Sequence, residues 1–571
     1  MAEIRLGRVF LGWCDECNLP LLGKKCSICG SEARKIGITP PGDYRPAFPA
    51  EKERLEEVLR ERFCVDMRLD YPLIFNKIPD IDMMREVIWK GRVIGTLRFD
   101  IFSKRELFLP RACFAQDLID AGTDKYVVAD DGALSSIMKS SNLLSPGVVG
   151  KGRFEPGDEV IVVDGRGKTI ATGSARVCSE SIPDRGTAVK VRSRGERERA
   201  NAPGYGFEEC KRLMIKSNEE HIENRVKESK DFIRKVIEEK KLPVACSVSG
   251  GKDSTATLLL LLESGVRPKI LFTDTGLEFE ETIDTVHSIA KESGLELLEK
   301  SARTDFFEDL GIFGNSSRDY RWCCKTRKMA PMVGLIEENF PKGVLTFIGQ
   351  RSYESKNRAE HGSVWTNPWL KKQTSASPIQ EWNAMEVWLY LFSRNAPYNP
   401  LYDRGFERIG CWLCPASDLY DFEIYQHRDY ERYMEYLREH YDEKSMALGL
   451  WRFRKAPSWA PEARKRERKD KSIIDDGPSI IFSAPEERVR NLALAAGLTV
   501  EGTRIRVDSN RDTVRKIVYK AKYCAGCGLC ESACGNRAIS IKEKKAWIDA
   551  ELCTSCGSCL DYLCPAVEYV D

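Results

Sequence analysis

Residues 244–254, VACSVSGGKDS, decide how the rest of the chain is read. Val244, Ala245, Cys246 and Val248 read as a short buried strand. Ser249, Gly250, Gly251, Lys252, Asp253 and Ser254 form a turn, and Thr255 to Leu262 continue as a helix. A glycine pair at such a corner lets the backbone come close to an oxyanion, and the N–H groups of the turn and of the first helical turn point at it. The geometry predicts anion binding. The spacing of glycines and lysine is not that of the Walker loop.

Working outward, Ile270 to Gly276 reads as a second strand ending in a polar corner, Asp274-Thr275-Gly276, and Glu280–Ser293 as an amphipathic helix. This alternation predicts a doubly wound parallel sheet with its ligand beyond the carboxyl ends of the strands. Both polar corners would then face one nucleotide. Further on stand Cys323-Cys324 and, after 86 residues, Cys411-x2-Cys414. Adjacent cysteines seldom bond each other comfortably, but both can ligate one cluster.

The loop at 249–254 resembles the pyrophosphate (PP) loop of the adenine-nucleotide alpha-hydrolase superfamily. The cysteine pattern resembles that of the sulfonucleotide reductases, which act on phosphoadenosine phosphosulfate (PAPS) or adenosine phosphosulfate (APS). Gly349-Gln350-Arg351 with Arg358-Ala359, Pro378-Ile379 with Trp382, Val387-Trp388 and Pro397 to Tyr402 agree with it. The resemblance covers about Leu242–His440 and implies a [4Fe–4S] cluster on Cys323, Cys324, Cys411 and Cys414. It also implies that Lys325, Arg327, Lys328, Arg351 and Arg358 line the phosphosulfate, as suits guanidinium and ammonium groups. Lys252, Asp253, Arg351 and Arg358 are the expected catalytic residues. Ser249 to Ser254 with Asp274, Thr275 and Gly276 are the expected nucleotide contacts, for PAPS, APS or ATP, with Mg2+ a candidate companion. Two departures stand out: no Glu-Cys-Gly-Leu-His motif supplies the reductases' mobile cysteine, and the PP-loop is intact where theirs is usually degraded.

Composition bounds the remainder. At 571 residues the chain is long enough for about four domains. Lys plus Arg at 89 nearly balance Asp plus Glu at 87, so no global polyanion-binding surface is indicated. The longest leucine run, Leu258–Leu262, is far short of a membrane span, and MAEIRLGRVF lacks a secretory pattern, so the expected location is the cytoplasm. There thiols stay reduced, and 21 cysteines of which 16 lie in tight clusters point to metal sites. The other five, Cys64, Cys113, Cys178, Cys210 and Cys246, read as small buried hydrophobes.

Cys14-x2-Cys17 and Cys26-x2-Cys29, eight residues apart, suit tetrahedral Zn2+, with iron in a rubredoxin-like site as the alternative, for which the loop between the pairs is short. Cys524, Cys527, Cys530 and Cys534, then Cys553, Cys556, Cys559 and Cys564-Pro565, match a bacterial-type 2[4Fe–4S] ferredoxin. In that arrangement one cluster takes Cys524, Cys527, Cys530 and Cys564, the other Cys534, Cys553, Cys556 and Cys559. Residues 125–195, with Asp130 to Ala133, Leu144 to Val148, Pro156 to Val160 and Thr172-Gly173, resemble a PUA domain, which implies structured RNA such as tRNA as a partner.

The expected architecture is multidomain α/β: zinc ribbon 1–38, small α+β unit 39–124, PUA-like β-barrel 125–195, solvated helical linker 196–241, PP-loop domain 242–445, helical and small α/β connector 446–520, ferredoxin 521–571. Two activities fit. One is reduction of APS or PAPS to sulfite with low-potential electrons entering through three [4Fe–4S] clusters. The other is ATP-dependent RNA sulfur transfer, with a base adenylated at the loop and sulfur delivered from the central cluster.

Overall fold

The computed structural model describes residues 9–195, 202–360, 362–367, 369–460, 472–507, 510–560 and 564–568. The Lys/Arg-rich text at 461–471, read above as helical, and the head of the linker at 196–201 lie outside the described residues. Five parallel strands build the central sheet in the order Leu297–Ser301, Lys269–Asp274, Val244–Ser247, Val344–Ile348 and Gln373–Ala376, and Val364–Thr366 pairs antiparallel at its edge. The chain starts in the middle, runs to one side, then returns to the other. The order therefore reverses between Val244–Ser247 and Val344–Ile348, and a crevice opens at their carboxyl ends.

Gly250 at φ +70° makes the corner after the first strand. A Cβ there would stand 2.9 Å from Thr282 Cγ2, so the turn needs glycine for both conformation and space. Helix Lys252–Glu263 begins directly after Gly251. Lys252, Asp253 and Ser254 thus belong to the first helical turn rather than to the loop expected from sequence, and their N–H groups join those that point out of the helix end.

An antiparallel sheet packs beside this domain in the order Tyr44–Pro46, Leu73–Lys77, Met84–Trp89, Arg92–Asp100 and Arg105–Pro110, with helix Pro49–Phe63 against it. Lys90 and Gly91, both at positive φ, form the hairpin turn between Met84–Trp89 and Arg92–Asp100. A buried charge network fastens this unit to the centre. Arg45 pairs with Glu51 at 2.7 Å and with Glu407 at 2.9 Å, and Arg85 pairs with Glu51 at 2.6 Å. Two charges of each sign compensate one another out of water, and breaking such a network costs about 3–5 kcal/mol.

The PUA region forms a six-stranded sheet and carries one element that the alternation of strands and turns hid. Asp130 accepts from Ala133 N at 2.7 Å and caps helix Asp131–Met138. The linker also differs from the solvated helix expected. It is two helices, Phe207–Ser217 and Glu219–Lys240, which bury Cys210, Met214, Ile222, Val226, Ile233 and Val236. Asn218 between them accepts from Leu22 N at 2.7 Å and donates to Pro20 O at 3.0 Å. The break thereby holds the N-terminal three-stranded sheet of Val9–Cys14, Leu19–Leu21 and Arg34–Ile38. Of the five isolated cysteines only Cys210 and Cys246 are buried, while Cys64 is exposed, since it ends a helix in the left-handed conformation. Among the described residues no helix is long and apolar enough to cross a membrane.

Candidate functional site

At the crevice, Ser254 Oγ donates to Gly251 O at 2.8 Å and accepts from Ser249 N at 3.2 Å, closing the turn. Lys252 N donates to Tyr402 Oη at 3.0 Å. Lys252 Nζ lies 2.8 Å from Asp253 Oδ2, and Asp253 Oδ1 accepts from Arg351 Nε at 2.7 Å. Burial opposes charge on all three, yet each partner outweighs it. Asp253 is held below the usual carboxylate range by Arg351 and Lys252, and Lys252 is held above the usual ammonium range by Asp253.

Across the crevice Gly276 N donates to Asp274 Oδ1 at 2.8 Å. Thr275 Oγ1 donates to Glu278 Oε1 at 2.9 Å and lies 3.7 Å from Cys411 Sγ, so the polar corner after the second strand touches the second cysteine pair. Arg327 donates to Thr275 O and to Thr304 O, both at 2.6 Å, bracing this corner from behind.

Cys324 opens a π-helical turn, Cys324–Met329, which widens the backbone where the cysteine pair begins. Cys323, Cys324, Cys411 and Cys414 are electrostatic neighbours: the Cys323 thiol is pushed up by its hydrogen bond with Cys324, by burial, and by Cys411 and Cys414. Cys324 is brought down to about 6 by the hydrogen bond with Cys323, against its burial, with help from Lys328, Arg321 and Arg408. A depressed thiol ringed by cations is the environment that a thiolate ligand needs.

The basic residues expected at the substrate separate sharply. Arg351 is 2% exposed and donates to Asp253, to both oxygens of Asp43 and to Trp382 O. Its guanidinium is turned to the protein interior, where Asp253, Asp43 and Trp382 O take up its donors. Arg327 is likewise buried against carbonyls, Lys325 pairs with Glu568 at 2.6 Å, and Arg358 is ion-paired with Glu354 on the surface. Lys328 is exposed and, like Arg408, has no hydrogen-bond or ion-pair partner among the described residues. Arg408 was missed in the sequence, although its place three residues before Cys411 is a signal that could have found it.

At the N-terminus Cys14, Cys17, Cys26 and Cys29 bring their sulfurs within 4.8 Å of one another, with Cys14 to Cys29 at 3.4 Å and Cys26 to Cys17 at 3.9 Å. Tetrahedral ligands about 2.3 Å from zinc stand roughly 3.8 Å apart, so the set fits that ion. At the other end Cys524, Cys527, Cys530 and Cys564 line, with Cys559 and Phe313, a cavity of ≈ 20 Å³. Buried Lys520 stands among Cys524, Cys530, Cys559 and Cys564, which hold its ammonium charged against burial. An enclosed cation facing four thiols fits an anionic cluster. Cys559 is neighboured by Cys553 and Cys534, whereas Cys556 is exposed and its thiol donates to Ser558 Oγ at 3.4 Å. One cavity is thus lined by the first expected quartet, and of the second quartet Cys556 is exposed.

This C-terminal region docks on the central cysteine turn. Glu568 holds Lys325, Tyr320 Oη donates to Pro565 O at 3.0 Å, and Leu529 packs with Val333 and Met329, with Cys527 beside them.

Residues 243–417 match the phosphoadenosine phosphosulfate reductase domain, and residues 125–194 match the PUA domain. The uncharacterized protein MJ0066 of Methanocaldococcus jannaschii is 35% identical over 467 residues, 79% of this chain and 97% of that one. An adenosine 5'-phosphosulfate reductase of Geobacillus kaustophilus is 33% identical over 168 residues, 28% of this chain and 69% of that one. A phosphoadenylyl-sulfate reductase structure from Candida auris aligns at 20% identity with a TM-score of 0.28, covering 34% of this chain and 95% of that one. The chain belongs to the PAPS/APS reductase family.

Proposed function

We propose that this protein reduces an adenylylated sulfate, APS or PAPS, to sulfite, with electrons delivered through its C-terminal cysteine region. In that reaction the sulfur–oxygen bond to the phosphate breaks, two electrons go to sulfur, and the nucleotide leaves as AMP or its 3'-phosphorylated form. The observation that carries the reading is the seating of the C-terminal cysteine region on the Cys323-Cys324 turn through Lys325 and Glu568. Adenylation needs no electrons, so a dedicated cysteine region packed behind that turn favours redox chemistry.

Cys323, Cys324, Cys411 and Cys414 would hold a [4Fe–4S] cluster, with two more on the C-terminal cysteines and Zn2+ on the N-terminal four. Such clusters supply one-electron transfer at low potential. The backbone N–H groups of residues 249–254 would receive the nucleotide phosphate. Asp274, Thr275 and Gly276 would bound the nucleotide on the other side. Lys328, Arg321 and Arg408 would hold the sulfonate end, where charge develops.

The intact loop and the PUA domain favour a second reading, ATP-dependent thiolation of an RNA such as tRNA. The deciding experiment is anaerobic: the cluster-loaded protein with reduced viologen is offered APS, PAPS and ATP. Sulfite release with viologen oxidation is expected from APS or PAPS. Pyrophosphate released from ATP only in the presence of tRNA, without sulfite, would sink the reductase reading in favour of the second.

A further inference from the structure

We propose that Asp43, which lies outside the PP-loop domain, is a positioning residue of the nucleotide site and acts through Arg351 on Asp253. Four charges of alternating sign run in line from the loop into the neighbouring unit. Lys252 meets Asp253 at 2.8 Å, Asp253 meets Arg351 at 2.7 Å, and Arg351 meets Asp43 at 2.6 and 3.1 Å. The far end is anchored. Asp43 Oδ1 also accepts from Ala384 N at 2.7 Å, the first residue of helix Ala384–Ser393. Gly42 before it, at φ +80°, lies so close to Val9 that a Cβ would stand 2.4 Å from Val9 Cγ1.

Near the loop there is as little freedom. A Cβ on Gly349 would lie 2.4 Å from the Asp253 carbonyl carbon, so the backbone leading to Arg351 rests on the turn that carries Asp253. With Arg351 2% exposed, the aspartate on its outer side fixes where the guanidinium points, and hence where Asp253 and Lys252 stand. An interaction this sheltered leaves little solvent to take the place of a missing partner.

The proposal rests on adenine-nucleotide binding at residues 249–254, which the reductase and RNA-thiolation readings share. It is therefore tested by binding rather than turnover, and a protein that makes no sulfite still answers it. Full-length protein is titrated with AMP as the probe. Asp43→Asn is expected to raise the dissociation constant about tenfold, and Arg351→Gln to raise it at least as much. The double variant should bind no more weakly than Arg351→Gln alone, since Asp43 acts only through that arginine. The sign is diagnostic: removing a carboxylate near an anion site would by charge alone tighten binding, whereas loss of positioning weakens it.

Unchanged or tighter AMP binding by Asp43→Asn, additive losses in the double variant, or no AMP binding by the wild type would each overturn the proposal. If Asp43→Asn fails to fold, Asp43→Glu carries the same test. It keeps the charge and displaces the carboxylate by one methylene, so a loss of affinity is expected and wild-type affinity overturns the proposal.

Discussion

Arg351 and Arg327 are buried and answered by carboxylates or carbonyls, whereas Lys328 and Arg408 stand exposed around Cys324 with no carboxylate within ion-pair distance among the described residues. Both pairs lie near one crevice and carry the same formal charge. The difference is what each charge still has to offer. A cation already neutralised in a dry interior stabilises the scaffold, and an unneutralised one at the rim is available to an incoming anion. Position in a family motif does not distinguish the two, but the count of partners does.

That contrast can be broken most severely at Arg351. Arg351→Met should destabilise the protein by about 3–5 kcal/mol, because Asp43 and Asp253, both largely buried, lose the cation between them and only Asp253 keeps another, Lys252. Urea unfolding followed by tryptophan fluorescence checks this, and a loss below about 1 kcal/mol would make Arg351 no more than a surface cation. Next in size is Lys328→Ala, expected to lower kcat/KM for the anionic substrate tenfold to a hundredfold, in line with about 1.5–3 kcal/mol for a charged hydrogen bond. The unfolding midpoint should stay put. An effect on stability instead of kinetics would erase the distinction.

Smaller still is a pH effect on the neutralised side. Burial raises the Asp309 carboxyl, 3.7 Å from Arg327, to about 6 against the hydrogen bond from Thr304. Above pH 6 this group is ionised where burial disfavours charge, and it takes up a proton in the folded state before the unfolded one. Its contribution therefore rises as pH falls from about 6 toward 4. Asp309→Asn should remove that gain, on the order of 1 kcal/mol, seen as a smaller shift in urea midpoint between pH 7 and pH 5. The least effect belongs to Arg358→Ala. Its partner Glu354 shares the surface, so kcat/KM should stay within about threefold and stability within about 0.5 kcal/mol.

The features legible in advance are local ones. Gly250 announces a corner because only the nearest residues decide its φ. The Cys14 to Cys29 group needs only two short turns to close. The helix break at Asn218 left no trace in the sequence because apolar spacing continues through it, and the partners of its side chain, Pro20 and Leu22, lie almost 200 residues earlier. The family resemblance points Arg351 at the substrate, and its neighbours in sequence say nothing of its partners. The carboxylate that turns it inward comes from residue 43, which no local pattern could pair with it.

That last contact spans 308 residues of chain. At a synthesis rate of about 5–20 residues per second, Asp43 leaves the ribosome roughly 15 to 60 s before Arg351 exists. During that interval the unit formed by residues 44–110 has no central domain to rest on, and the buried network of Arg45, Glu51 and Arg85 still awaits Glu407. The line of charges from Lys252 to Asp43 is thus closed only after more than half of the chain has been made, and a nascent chain halted before residue 351 leaves Asp43 without the guanidinium that it meets in the folded protein.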